Sequence, residues 1–216
     1  MKKILLIFIA MFLTFPAFAQ NADKLNEVIA KMQAADENVT TLEADFTQLI
    51  VFTVTNEKQK ITGNVKYLKP DSAFIVQKTP QEQRIYISGK KIIIYTPENA
   101  QAIEDKYDNV INASFSPAAV VNFGANFKEI SKNNVVRFVS EDDNNYILEV
   151  YPKKNKDWTM KLFISKDNMR PSKAVITSDG TEITADISNY RINNSELNKN
   201  LFKFKAPSGV EVIKLN

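Results

Sequence analysis

Apolar side chains recur at every second position across residues 42–95, LEADFTQLIVFTVTNEKQKITGNVKYLKPDSAFIVQKTPQEQRIYISGKKIIIY. Those that share one face of successive runs are Leu42, Ala44, Phe46, Ile50, Phe52 and Val54, then Ile61, Val65 and Tyr67, then Phe74, Val76, Ile85 and Ile87. Turn residues at Pro70, Thr79-Pro80 and Ser88-Gly89 separate the runs. This period of two, with turns at short intervals, predicts an antiparallel sheet with one apolar face. The rest of the chain must cover that face.

Two helices are predicted to supply the cover. Over residues 21–40 the apolar spacing changes to that of a helix, with Leu25, Val28, Ile29 and Met32 in one stripe. A second, short helix is predicted over residues 117–123, with Ser116 as its N-cap, Pro117 at its first position and Gly124 at its end. It has almost no polar face, so we expect it to be buried or to lie over an apolar surface.

The remaining pattern returns to strands and completes the fold class. Further strands are predicted at residues 101–105, 135–139, 146–151, 158–165, 173–178 and 181–190, with an edge strand at 210–215. About eleven strands with two helices predict a mainly β fold (α+β), a single curved antiparallel sheet that forms an incomplete barrel. A two-sheet sandwich is the alternative. The apolar mid-chain helix favours the incomplete barrel, because a sandwich has little use for it.

The first residues predict export. Met1-Lys2-Lys3 is basic, residues 4–15 are almost continuously apolar, and Ala17 and Ala19 stand at the spacing of a signal-peptidase site. A membrane anchor would need roughly 20 apolar residues, more than this run provides. We therefore expect residues 1–19 to be removed, which leaves one domain, residues 20–216. The chain has no cysteine, so neither a lipid at the cleavage site nor a disulfide is expected.

The composition excludes most catalytic chemistry. The chain contains no histidine and no cysteine, which removes serine and cysteine triads and zinc sites of the usual kind. No phosphate-binding or dinucleotide-binding glycine motif occurs, and without Lys2 and Lys3 the charge is nearly balanced, which argues against nucleic acid as a partner. The acidic run Glu141-Asp142-Asp143 fits a hairpin turn better than a calcium loop. We expect no enzyme, cofactor or metal, although the sequence leaves a pair of catalytic carboxylates open.

Several segments together resemble the LolA family of periplasmic outer-membrane lipoprotein carriers. The segments are residues 39–48 (VTTLEADFTQ), 63–70 (GNVKYLKP), 85–92 (IYISGKKI), 95–101 (YTPENAQ) and 192–213, which contains LFKF and PSGVEVI. The resemblance covers essentially the whole chain after residue 19, in order. It implies an unclosed barrel whose helices act as a lid over a hydrophobic cavity. It also implies a monomer in the periplasm that takes lipoproteins from an inner-membrane ABC transporter to an outer-membrane acceptor. The family's acceptor is itself a lipoprotein, so the absence of cysteine points to the carrier.

The resemblance assigns candidate site residues. The predicted cavity for acyl chains is lined by Phe46, Ile50, Phe52, Val65, Tyr67, Phe74, Val76, Ile85, Ile87 and Ile94. The predicted lid residues are Lys69, Pro117, Val120, Val121 and Phe123. The family typically has an arginine where this chain has Lys69, and that arginine is thought to hold the lid closed; a lysine can also donate to helix carbonyls but lacks the rigid guanidinium fork. A carrier of another lipid or glycolipid, or a periplasmic lipoprotein sensor, remains as an alternative.

Overall fold

The computed structural model describes residues 17–107, 120, 124, 126–155 and 157–215, with the backbone alone for 17–20. Its helices in these ranges are α1 (Ala17–Asp36) and α2 (Phe127–Asn133), with single 3-10 turns at Pro97–Asn99 and Lys199–Phe202. The strands are β1 (Thr41–Phe52), β2 (Lys58–Leu68), β3 (Ser72–Thr79), β4 (Gln83–Ser88), β5 (Lys91–Thr96), β6 (Gln101–Lys106), β7 (Asn134–Glu141), β8 (Asn145–Pro152), β9 (Trp158–Ser165), β10 (Pro171–Ser178), β11 (Thr181–Ile192) and β12 (Glu211–Lys214).

All strands of the described residues belong to one twelve-stranded sheet in the order β12-β6-β5-β4-β3-β2-β1-β11-β10-β9-β8-β7. Neighbours are antiparallel except β12 and β6, which are parallel. The end strands β12 and β7 do not pair with each other in this order, so the sheet is curved but unclosed. The predicted single sheet is confirmed, and the sandwich alternative is wrong.

Irregular register contributes to the curvature. The pairing of β1 with β11 shifts between Glu43 and Asp45, and that of β2 with β3 shifts between Thr62 and Gly63. Such bulges bend the strand and increase its twist. Between β4 and β5 the predicted tight turn is present, and Gly89 takes a φ of 57° there, a backbone conformation that favours glycine.

We name the sheet face that packs against Val28, Ile29 and Met32 of α1 the helix face. It carries the main core, to which every strand from β1 to β5 and from β7 to β11 contributes. Each strand presents alternate residues to it, as Leu148 and Val150 of β8 do beside Leu162 of β9, and these three side chains are fully buried. We name the opposite face of β3–β6 the tail face, because Phe204 of the C-terminal segment lies on it.

Helix α1 ends earlier than the sequence pattern predicts. It stops at Asp36 rather than near residue 40, and the backbone N–H groups of Glu37 and Val39 close the last turn by bonding to Ala34 and Asp36. Val39 stands seven residues after Met32, in phase with the apolar stripe, and it is buried in the core from the turn. Val39 and Thr40 have low helix propensity, which favours the earlier end.

The middle of the chain differs in part from the prediction. Of the predicted helix 117–123, only Val120 is among the described residues, and it is buried in the helix-face core; Pro117, Val121 and Phe123 lie outside them. Helix α2 was not predicted. Its Phe127 and Ile130 pack against the helix face, but two apolar positions in seven residues are too few to show a helical period.

Candidate functional site

Most of the predicted cavity residues share the helix face. Cross-strand pairs place Val65 beside Ile75, Ile75 beside Ile85, and Ile85 beside Ile94 in one continuous row. The predicted residues on this face are Phe46, Ile50, Phe52, Val65, Tyr67, Ile85, Ile87 and Ile94. Val65 is fully buried, whereas Phe52 at the end of β1 is 39% exposed. The helix face therefore extends from a covered interior to a partly exposed end of β1 at Phe52.

Phe74 and Val76 do not belong to this row. Phe74 pairs with Tyr86 and Val76 with Arg84 on the other face of the sheet, and the rings of Phe74 and Tyr86 lie 4.8 Å apart. This corrects their assignment to the same surface as Val65. Strand β3 has three successive apolar residues, so a period of two could not decide which of them faces inward; Ile75 occupies the helix face and is 2% exposed.

The helix face needs a glycine next to Phe46. A Cβ atom at Gly63 would lie 2.5 Å from Cζ of Phe46 and 2.3 Å from the carbonyl oxygen of Val76. Both distances are too short for a real contact, so only glycine lets the Phe46 ring lie over β2. The sequence pattern placed Gly63 on the apolar face but gave no sign of this requirement.

The other half of the helix face was absent from the predicted site. It is formed by buried residues of β8–β11, namely Tyr146, Leu148, Val150, Met160, Leu162, Ile164, Ala174, Ile176, Ala185 and Ile187. The signal was present in the sequence, since residues 160, 162 and 164 alternate, as do 183, 185 and 187. Most segments that carry the resemblance lie in β1–β5, so the predicted site did not include β8–β11.

Two cations hold the C-terminal end of α1. Lys69 Nζ donates to the carbonyl oxygen of Asp36 at 2.5 Å. Arg170 forms an ion pair with Asp36, Nη1 to Oδ1 at 2.5 Å, and its Nη2 donates to the carbonyl oxygen of Ala35 at 3.0 Å. Lys69 therefore bonds to the end of a helix, and that helix is α1; its role in the lid stays a prediction. Arg170 and Asp36 were missed, because 134 residues separate them and neither stands in a motif.

Nearer its N-terminus, α1 is held to the sheet by charged side chains at the surface. Lys24 Nζ lies 3.4 Å from Oε1 of Glu141 on β7, and Lys166 Nζ lies 2.9 Å from Oε2 of the same carboxylate. The hydrogen bond from Lys166 is the main cause that lowers the pKa of Glu141 below its usual range. Lys24, Lys31 and Lys166 also stand 5.1–5.7 Å from the centre of the Tyr146 ring. Exposed pairs of this kind contribute little to stability.

A pocket of about 360 Å³ opens beside the C-terminal end of α1. It is lined by Gln33, Asp36, Glu37, Tyr67, Lys69, Pro70 and Asn126. Tyr67 belongs to the helix face, and its hydroxyl donates to the carbonyl of Pro70. The pocket thus has an apolar wall that continues the helix face and a polar rim from α1 and Lys69.

The remaining chemistry of the described residues is sparse. The acidic run is a hairpin turn, as predicted: Asp142 Oδ1 accepts from the backbone N–H groups of Asn144 and Asn145, which lowers the pKa of the Asp142 carboxyl. In the part of the chain that the structure describes, no three acidic side chains come together as metal ligands. Within the same ranges, no helix has the length and apolar character needed to cross a bilayer.

The fold and the site define an incomplete β-barrel whose apolar face is covered by helices. The model of the family described as outer membrane lipoprotein carrier protein LolA matches residues 37–205. The chain therefore belongs to the LolA family, and the resemblance noted in the sequence is confirmed.

Individual relatives agree with the family. An outer-membrane lipoprotein carrier protein from Francisella tularensis subsp. tularensis is 26% identical over 99% of this chain and 97% of its own length. One from Bordetella avium is 28% identical over 89% of this chain and 87% of its own. In fold, the chain is similar to an uncharacterized conserved protein from Thermus thermophilus, with a TM-score of 0.60 at 12% identity, covering 89% of this chain and 99% of that one.

Proposed function

We propose that this protein is a periplasmic carrier that binds the acyl chains of lipoproteins on its helix face. In this role it takes lipoproteins from an inner-membrane ABC transporter and passes them to an acceptor at the outer membrane. The observation that carries the proposal is the continuous apolar row on the helix face, covered by helices, in a chain of the lipoprotein-carrier family. The role requires binding and release, with no chemical step.

The proposed site has the right chemistry for acyl chains. Its side chains are aliphatic or aromatic, and each methylene that they cover contributes roughly 0.8 kcal/mol. An acyl chain of about a dozen methylenes would gain on the order of 10 kcal/mol if fully covered. Because binding of that strength would trap the cargo, the carrier should cover the chains only in part. The partly exposed Phe52, at the end of β1 on the helix face, supports such partial cover.

Access to this site is proposed to depend on Lys69 and on the segment that contains Pro117, Val120, Val121 and Phe123. Two contacts support this. Lys69 bonds to the end of a helix that covers the site, and Val120 is buried against the helix face. A cover that depends on few polar bonds can open without unfolding the sheet.

Export is part of the proposal. Removal of residues 1–19 would leave a single domain that begins at residue 20. The mature chain would keep the buried stripe of α1, Val28, Ile29 and Met32, which lies entirely beyond the cleavage site. The proposed cleavage therefore leaves the cover of the helix face intact.

The absence of cysteine allows a direct test with single-cysteine variants. Phe52 and Leu49 lie on the same strand with the same 39% exposure, but their side chains point to opposite faces of the sheet. Each is replaced by cysteine in a separate variant, which is expressed in the periplasm of the native host; the cysteine is then labelled with a photoactivatable crosslinker. Bound species are then identified by mass spectrometry. We expect lipoproteins to crosslink through position 52 and not through position 49, which serves as the matched control.

Other results would contradict the proposal. Crosslinking of free lipid or glycolipid at position 52, without lipoprotein, would make the protein a carrier of another lipid. Equal crosslinking at both positions would show that the helix face is not the binding surface. Stable capture of lipoprotein without transfer to outer-membrane vesicles would favour a sensor over a carrier.

A further inference from the structure

The C-terminal end of α1 connects two distant parts of the sheet. Lys69 belongs to the turn between β2 and β3, and Arg170 belongs to the turn between β9 and β10. Strands β1 and β11 separate these two hairpins in the sheet order. Both side chains nevertheless reach the last residues of α1, Ala35 and Asp36. The end of α1 is therefore held from two sides.

The two attachments differ in kind. Arg170 is 2% exposed and makes an ion pair with a carboxylate as well as a bond to a carbonyl. Lys69 is half-buried and makes one bond, to a neutral carbonyl oxygen. Both donors are cations, so both bonds are charge-assisted; only Arg170 faces an opposite charge, and a buried charge that loses its partner is strongly unfavourable. The Lys69 bond is the one that opens more easily.

The base of Arg170 is also fixed. The N–H of Ser165 donates to its carbonyl oxygen at 2.9 Å, and its own N–H donates to Asn168 Oδ1 at 3.0 Å. The guanidinium carbon lies 5.9 Å from the centre of the Tyr190 ring, whose hydroxyl donates to the carbonyl of Pro171 at 2.7 Å. The residue whose guanidinium holds α1 is therefore itself fixed by backbone hydrogen bonds in the turn between β9 and β10.

We propose that Arg170 is a positioning residue that keeps α1 attached to the sheet when the bond from Lys69 opens. Movement of α1 then turns about the Arg170–Asp36 pair, with Lys69 as the releasable side. The part of this inference that concerns cargo rests on the proposed function; the attachment of α1 does not.

The structure offers two substitutions that separate the attachments. Asp36→Asn removes the carboxylate that Arg170 uses and keeps the carbonyl that Lys69 uses. Lys69→Leu removes the donor to that carbonyl and keeps the Arg170–Asp36 ion pair. The readout is hydrogen exchange of the α1 amides around Val28–Met32 in the full mature chain, followed by mass spectrometry. Arg170→Lys is the conservative variant, which keeps the charge but loses the fork that spans Asp36 and Ala35.

We expect Asp36→Asn to speed exchange in α1 by roughly tenfold, because the buried guanidinium loses its opposite charge. The exchange rate of Arg170→Lys should fall between those of Asp36→Asn and the wild type. Lys69→Leu should change the exchange rate by less than about threefold, because it removes a single bond from a half-buried side chain to an uncharged acceptor. Exchange in β8 and β9 serves as the control for global unfolding. If Lys69→Leu frees α1 as much as Asp36→Asn does, or if Asp36→Asn leaves exchange unchanged, the inference is wrong.

A second measurement uses a palmitoylated peptide as the probe. Lys69→Leu should raise its association rate, because the releasable side is already open. Asp36→Asn should instead raise its dissociation rate, because α1 no longer returns to its place. Equal effects of both variants on both rates would contradict a role for Arg170 distinct from that of Lys69. If no variant binds the peptide while the exchange pattern holds, the proposed function fails and the attachment through Arg170 stands.

Discussion

On β3, β4 and β5 both faces of the sheet are apolar, but different parts of the chain cover them. On the tail face, the ring of Phe204 lies 5.3 Å from that of Tyr86 and 5.7 Å from that of Tyr95. On the helix face, Ile75 belongs to the main core, which also contains Val28, Ile29 and Met32 of α1 and the buried Val120. The tail face is closed by aromatic rings, whereas the core on the helix face includes side chains of a helix.

The difference shows that an apolar face alone does not define a binding site. The tail face is closed by ring contacts that stabilise the fold. Its side chains form a small cluster that is separate from the main core. The helix face is larger, reaches both halves of the sheet and ends in partly exposed residues. Substitutions on the two faces should therefore have separable effects on stability and on binding.

Phe46→Ala should have the largest effect. The side chain is buried on the helix face, so its loss should lower the free energy of unfolding by about 3–5 kcal/mol. It should also weaken binding of a palmitoylated peptide, because Phe46 belongs to the proposed site. Denaturant unfolding and peptide titration measure the two effects. If stability falls and peptide affinity does not change, the helix face is not the surface that binds acyl chains.

Phe204→Ala should have a smaller effect, and on stability alone. The ring is half-buried on the tail face, so the free energy of unfolding should fall by about 2 kcal/mol, roughly half of the loss for a fully buried phenylalanine. Peptide affinity, measured where the variant is still folded, should equal that of the wild type. A drop in affinity comparable to that of Phe46→Ala would remove the distinction between the two faces.

Glu141→Gln should have the smallest effect. It removes the exposed carboxylate that meets Lys24 of α1 and Lys166, and pairs at the surface are weak. Because the pKa of Glu141 is lowered in the folded state, its contribution is present above the ordinary carboxyl pKa and disappears as the pH falls through the lowered value. The variant should match the wild type at acidic pH. A large loss of stability at neutral pH would show that the exposed end of α1 holds the cover.

The sequence predicted the strands well, because turn residues such as Gly89 separate them and alternation marks their faces. It failed at Phe74-Ile75-Val76, where both faces are apolar and alternation carries no information. It also placed the end of the first helix near residue 40, whereas α1 ends at Asp36. The attachment of α1 through Arg170 was beyond reach, because a contact between residues 36 and 170 leaves no local pattern. The assignment of acyl-chain and lid residues stays a prediction.

The position of β1 has a consequence for the order of folding. This strand lies in the middle of the sheet, paired on one side with β2, which follows it directly, and on the other with β11, from the far end of the chain. Until β11 has been synthesised and has paired with β1, β1 keeps an unpaired edge, and unpaired edges pair with other chains. Pairings between such distant segments also form slowly. The protein therefore reaches its native state only after nearly the whole chain is available, and its first half needs protection from aggregation in the meantime.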